Sequence, residues 1–215
     1  MAELLIVIIK IAVAFVSLLL LAAYMTWMER RVFALVQVRY GPNRVGPAGL
    51  LQPIADGIKL MFKETVIPSQ ADKFVYFLAP AITLIPAMAA FAVVPFGDTV
   101  TLFGLKVDMI ISDVNVGILY VFALSGLGVY GVVLGAWASN SKYPLLGGLR
   151  ASAQLISYEL SLGMSLLGVV MISGSLSLKD IVAGQAGLPY IFLQPVGFLL
   201  FVICMFAETN RAPFD

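Results

Sequence analysis

Glu159 is the first residue that could do chemistry, because it is a carboxylate set in the apolar segment Ser152–Ser173. A charge at the centre of a membrane helix costs about 2.5–3.5 kcal/mol on insertion scales, so such groups face a cavity or a partner rather than lipid. At 100° per residue, Gln154, Ser157, Ser161, Ser165 and Gly168 form a stripe within about 80° of arc. Glu159 points to nearly the opposite side, with Gly163 one turn beyond it. A helix with two faces unsuited to lipid belongs inside a bundle. Two roles for Glu159 fit this pattern, a structural hydrogen bond or ion pair and the handling of a proton. The second is preferred because it uses the space beside the small residue. Glu208, followed by Thr209-Asn210-Arg211, and Glu29 read on pattern alone as ordinary interfacial charges.

The residue types that are missing narrow the chemistry further. The chain has no histidine, and Cys204 is its single cysteine. Haem, iron–sulfur clusters and zinc require sets of such ligands. Any redox centre that this chain serves must therefore sit in a partner, and no disulfide can form within the chain. The net charge of +1 gives no electrostatic case for a nucleic-acid partner.

These groups must be positioned by membrane helices. The 215 residues are 61% hydrophobic, with a mean hydropathy of +1.01, which marks the membrane class. A spanning helix needs roughly 20 apolar residues. Five segments qualify: Leu4–Trp27, Val75–Val94, Val116–Ala138, Ser152–Ser173 and Tyr190–Ala207. Backbone exposed to lipid must satisfy its own hydrogen bonds, so the expected fold is all-α, a multi-pass helical bundle forming a single membrane domain over residues 1–215. The first segment is too long for a signal-peptide core and lacks a small-residue cleavage site, so it reads as a retained span. Pro80 and Pro86 predict a kink in the second segment rather than a break. Gly131 and Gly135 in the third form a GxxxG pair suited to close helix packing. Cys204 reads as a small core residue.

Basic residues set the orientation. Arg30, Arg31, Arg39, Arg44, Lys59, Lys63 and Lys73 follow the first span, Lys142 and Arg150 the third, and Arg211 the fifth. The other connections hold only Lys106 and Lys179, while Lys10 lies near the outer end of the first span and snorkels. The expected topology therefore puts the N-terminus outside. Glu29, Glu159 and Glu208 then lie toward the inner side.

The segment from Glu29 to Asp72 is long for a bundle connection. Gly41-Pro42-Asn43 and Gly46-Pro47 mark turns within it. From Leu50 to Lys63 the pattern becomes helical. Leu50, Leu51, Ile54, Ile58, Met61 and Phe62 share one face, and Gln52, Asp56, Lys59 and Lys63 the other. This amphipathic helix is too short and too charged to span, so it should lie along the interface. Its polar face either rests in water or docks a soluble partner or lines a cavity entrance, and the pattern leaves these open.

Three blocks of sequence, in order, resemble the family of the H subunit of NADH-quinone oxidoreductase, the bacterial equivalent of mitochondrial complex I membrane subunit 1. The first comprises Glu29-Arg30-Arg31, residues 37–47 (QVRYGPNRVGP) and residues 49–60 (GLLQPIADGIKL). The second is residues 147–160 (GGLRASAQLISYEL), and the third residues 207–215 (AETNRAPFD).

The resemblance implies a subunit that joins a soluble redox arm to a membrane arm. With its soluble neighbours it would form the tunnel that admits quinone and would couple quinone reduction to proton translocation. Carried over by position, Arg30, Arg39, Asp56 and Lys59 fall in the quinone-tunnel region, and Glu159 and Glu208 match carboxylates of the proton or charge-relay route. NADH, FMN and iron–sulfur clusters would bind in partner subunits, adjacent membrane subunits would complete the assembly, and the chain alone would not be catalytic. The implied location is the bacterial inner membrane rather than the mitochondrial one. Family members continue past Phe214-Asp215 into an acidic loop and three more spans, so the chain is expected to be a fragment or a truncated product. Two alternatives remain: the homologous subunit of a membrane-bound hydrogenase or related reductase, and an ion transporter without redox chemistry. The transporter would be favoured by an inverted repeat, which the sequence does not display.

Overall fold

The computed structural model describes residues 2–102 and 105–209. The fold is an all-α, multi-pass membrane protein. Four helices among the described residues are long and apolar enough to cross a bilayer, and a shorter apolar helix joins them. The chain divides into two compact units, Met1–Val66 and Ile67–Asp215.

The first unit is built on α1 (Ala2–Val36). Its 35 residues would extend about 52 Å, well beyond a hydrocarbon core of about 30 Å. Hydropathy ends the expected span at Trp27, but the helix runs nine residues further through Glu29, Arg30 and Arg31. Those residues form helix well, and only the lipid-facing composition stops at Trp27. The chain then reverses through a tight loop with a 3-10 turn at Pro47–Gly49 and enters α2 (Gln52–Met61). Val38 and Ala48 adopt left-handed backbone angles, with φ of 54° and 52°. Such conformations persist in non-glycine residues only where the surroundings over-determine them. Gly49, at φ 76°, could not be another residue, because a Cβ there would run into the carbonyl of Pro42.

The second unit holds the remaining helices. Asp72 opens α3 (Lys73–Ala90), its carboxylate accepting from the backbone N–H of Val75 at 3.2 Å. Pro80 and Pro86 lie inside α3 without breaking it. α3 packs on α4 (Gly117–Ala138) along the glycine face expected to pack closely. A Cβ on Gly131 would overlap Thr83 Oγ1 and approach the carbonyl of Ala79 to 2.8 Å. Between these helices lies a two-stranded antiparallel hairpin, β1 (Val100–Leu102) and β2 (Leu105–Val107), paired Val100 with Val107 and Thr101 with Lys106. Its short alternating run falls below the length that a hydropathy window registers.

α5 (Lys142–Ser173) begins ten residues before the expected span, taking Lys142 and Arg150 into the helix. It packs against α4 on one side and α8 on the other. The short α6 (Leu178–Gly184) is capped by Ser177, and Ile181 joins Ile118 and Tyr190 in a small apolar core. The fifth expected span, Tyr190–Ala207, is interrupted. It comprises a single turn, α7 (Tyr190–Leu193), and α8 (Pro195–Glu208), separated by Gln194 at φ −136° and ψ 63°. Pro195 explains the break, since proline disfavours helical angles in the residue before it.

Candidate functional site

The candidate residues fall in two groups, one in each unit. In the first unit the amphipathic α2 forms where its pattern places it. Its apolar residues Ile54, Ile58, Met61 and Phe62 are exposed, which suits a helix resting its apolar side in the membrane interface. Its polar side is partly engaged. Arg30, near the end of α1, donates to Asp56 Oδ2 at 2.6 Å, and the Gln52 amide donates to Asp56 Oδ1 at 2.9 Å. These two bonds hold the Asp56 carboxyl below its ordinary value of 3.8, the Gln52 contribution being the larger. Lys59 adds a weaker attraction from the next turn. Arg39 is exposed and donates to Gln37 Oε1 at 2.6 Å. The structure thus joins Arg30 to Asp56 and leaves Arg39 in a separate local contact.

Arg31 gains a role that the sequence pattern does not give it. Its guanidinium lies 5.1 Å from the centre of the Trp27 ring and donates to the carbonyl of Ala48 at 3.1 Å. It therefore ties the strained loop back onto α1. The signal in the sequence is the spacing of Trp27 and Arg31 at four residues, which puts the two on one helix face.

In the second unit Glu159 sits near the middle of α5, because that helix starts earlier than hydropathy indicates. Its Oε1 accepts from the hydroxyl of Ser125 on α4 at 2.7 Å. Gly126 lies beside the carboxylate, where a Cβ would be in ordinary van der Waals contact, 3.4 Å from Oε1 and 3.7 Å from Oε2. One turn beyond, the ring of Phe122 stands over Gly163, so aromatic carbon occupies the neighbourhood of that glycine. The opposite face of α5 is divided. Ser165 is buried, and Gly168 is packed against the side chain of Gln194. Ser157 and Ser161 are exposed and donate back to the carbonyls of Ala153 and Ser157. Glu208, the last residue of α8, is half-buried and lies within electrostatic reach of Glu159. The structure therefore brings Glu159 and Glu208 into one electrostatic neighbourhood across the α5–α8 contact. Arg211 and the rest of the block beyond residue 209 lie outside the described residues.

Ser125 is the partner that sequence reasoning missed. A serine next to a glycine in the apolar run of α4 was the available hint, but only the packing of α4 against α5 shows what it meets.

The family model for NADH dehydrogenase matches residues 9–215. The second NADH-quinone oxidoreductase H subunit of Syntrophobacter fumaroxidans is 54% identical over 214 residues, covering 100% of this chain and 65% of that protein. The first H subunit of Geobacter metallireducens is 57% identical, covering 96% of this chain and 63% of its own length. The H subunit of Thermomicrobium roseum is 56% identical, over 92% and 61% respectively. The chain thus spans a little under two thirds of these relatives. With identity above one half along nearly all its residues, the chain belongs to the NADH dehydrogenase family.

Proposed function

We propose that this chain acts as a membrane subunit of a proton-pumping NADH:quinone oxidoreductase. In that role it forms part of the path by which quinone enters and takes part in coupling quinone reduction to proton translocation. The names of the relatives support the assignment to such a complex. The observation that carries the coupling role is Glu159, a carboxylate in the middle of a membrane-spanning helix, held by a neutral hydroxyl and within reach of a second carboxylate. No cation is bound to it in an ion pair among the described residues. A carboxyl placed so can take up or release a proton without breaking an ion pair, which suits a relay.

Arg30, Arg39, Asp56 and Lys59 serve the quinone-access side. α2 lies along the interface with its apolar residues toward lipid, and the Arg30–Asp56 pair fixes its angle to the end of α1. The partners are soluble quinone-module subunits and adjacent membrane subunits. NADH, FMN and iron–sulfur clusters belong to those partners, and quinone is the substrate. The chain works as one membrane domain in the bacterial inner membrane with its N-terminus outside. The excess of Arg and Lys after α1 and at the start of α5 supports that orientation.

The test is Glu159→Gln in the full-length subunit within the assembled complex. Proton translocation per quinone reduced should fall several-fold while the amount of assembled complex stays constant. Unchanged translocation would remove Glu159 from the relay.

A further inference from the structure

The hydroxyl of Ser125 has two acceptors within reach. Glu159 Oε1 lies 2.7 Å away, and the backbone carbonyl of Phe122 lies 3.0 Å away. A serine hydroxyl carries one hydrogen and two lone pairs, so it serves one acceptor at a time and can itself accept. We propose that Ser125 is a positioning residue for Glu159 whose hydroxyl reverses its donor direction with the protonation of the carboxyl. The inference rests on the proton-handling role of Glu159 proposed above.

When Glu159 is ionised, Ser125 donates to Oε1 in a charge-assisted bond, and the Phe122 carbonyl keeps only its helical partner. When Glu159 takes up a proton, the carboxyl O–H donates to Ser125 Oγ. The serine hydrogen then swings to the Phe122 carbonyl, whose second lone pair accepts it. No proton passes between the two side chains, and the Ser125 hydroxyl donates in both states, to Glu159 Oε1 in one and to the Phe122 carbonyl in the other. Neither state therefore leaves the Ser125 hydrogen without an acceptor, a penalty of about 1–3 kcal/mol for a buried group. A hydroxyl does this where an ammonium, which only donates, or an ionised carboxylate, which only accepts, could not.

The surroundings fit a group tuned by hydrogen bonding. α4 carries no charged side chain anywhere along Gly117–Ala138. From α8, Glu208 lies within electrostatic reach. Along α5 the charges are Lys142, Arg150 and Glu159 itself, with Arg150 nine residues away and on the far side of the helix.

The test uses the intact complex with the full-length subunit, reconstituted in vesicles. Infrared difference spectroscopy follows the neutral-carboxyl band, assigned to Glu159 by its loss in Glu159→Gln. Ser125→Ala should shift that band and lower proton translocation several-fold, and Ser125→Thr, which keeps a hydroxyl, should restore both. Ser125→Cys keeps a side chain of similar size but replaces the hydroxyl with a thiol, a weak donor and weak acceptor. It should shift the band as well, which covers the case of Ser125→Ala failing to assemble. A wild-type band and wild-type translocation in Ser125→Ala or Ser125→Cys, with translocation lost in Glu159→Gln, would overturn the role of Ser125 and leave that of Glu159 standing. Normal translocation in Glu159→Gln would overturn both.

Discussion

Asp56 in the first unit and Glu159 in the second are both carboxylates near other polar groups, yet they are held by different physics. Asp56 is held by a neutral amide and a cation together, Gln52 at 2.9 Å contributing most, the Arg30 guanidinium at 2.6 Å next, and Lys59 least. It is partly open to water, and its backbone setting depends on a loop with two left-handed non-glycine residues. Glu159 is held by a neutral hydroxyl, inside a helix packing governed by small residues on α4. A carboxylate locked to a cation keeps its charge and fixes geometry. A hydroxyl can donate or accept, so it can serve a carboxyl in either protonation state. This division is what the proposed roles require, shaping for Asp56 and proton handling for Glu159.

The largest effects should come from the glycines that make each setting possible. Gly49→Ala forces a side chain onto a backbone at φ 76° and drives its Cβ into the carbonyl of Pro42. Strain and overpacking together should cost roughly 2–4 kcal/mol. The loop that carries Ala48 would then leave Arg31, and limited proteolysis should cut between residues 37 and 51. Wild-type resistance would show that the loop does not hold α2 in place. Gly131→Ala should cost about 1–3 kcal/mol through its clash with Thr83 and the Ala79 carbonyl. Adding Thr83→Ala should recover part of the thermal stability lost, because it removes the Oγ1 contact. Failure to recover any would mean that the backbone approach to Ala79 sets the limit.

Sequence reasoning reached the parts of this comparison that depend on local pattern and missed those that depend on contact. The faces of α2 follow from a 3.6-residue period, and the spans follow from composition, so both were legible. The ends of α1 and α5 were not, because hydropathy reports where lipid contact stops and helical hydrogen bonding continues past that point. The break at Gln194 was written in Pro195, but an uninterrupted apolar run concealed it. Glu159 was conspicuous as a charge among apolar residues. Ser125, 34 residues away in the chain, becomes its partner only when α4 and α5 meet, and no periodicity within either helix encodes that pairing.

A smaller effect would sharpen the functional half of the comparison. Asp56→Asn removes the charge that Arg30 meets but preserves shape. The pair is exposed, and exposed pairs contribute about 0–1 kcal/mol, so assembly and thermal stability should change little. Quinone reductase activity should fall more than NADH oxidation by an artificial acceptor that bypasses quinone. Equal loss in both assays would point to failed assembly and would remove Asp56 from the quinone side.

The smallest expected effect separates the two carboxylates by solvent condition alone. The Asp56 carboxyl lies below its ordinary value in the folded protein, so its contribution is fully present above the unfolded value of 3.8 and is lost only as pH falls through the lower folded one. From neutral pH down to about 5 the α1–α2 contact should therefore be insensitive to acid. It should respond to salt, because ions screen an exposed pair over about 8–10 Å near physiological strength. A spin-label or fluorophore pair on α1 and α2 should report a slight widening as salt rises, and the Asp56→Asn variant should start at the widened distance and show no further change. The infrared band of Glu159, which depends on a hydroxyl within packed helices, should not move with salt at all. A salt-dependent Glu159 band, or a salt-independent α1–α2 distance in the wild type, would mean that charge and hydroxyl do not divide the two sites in this way.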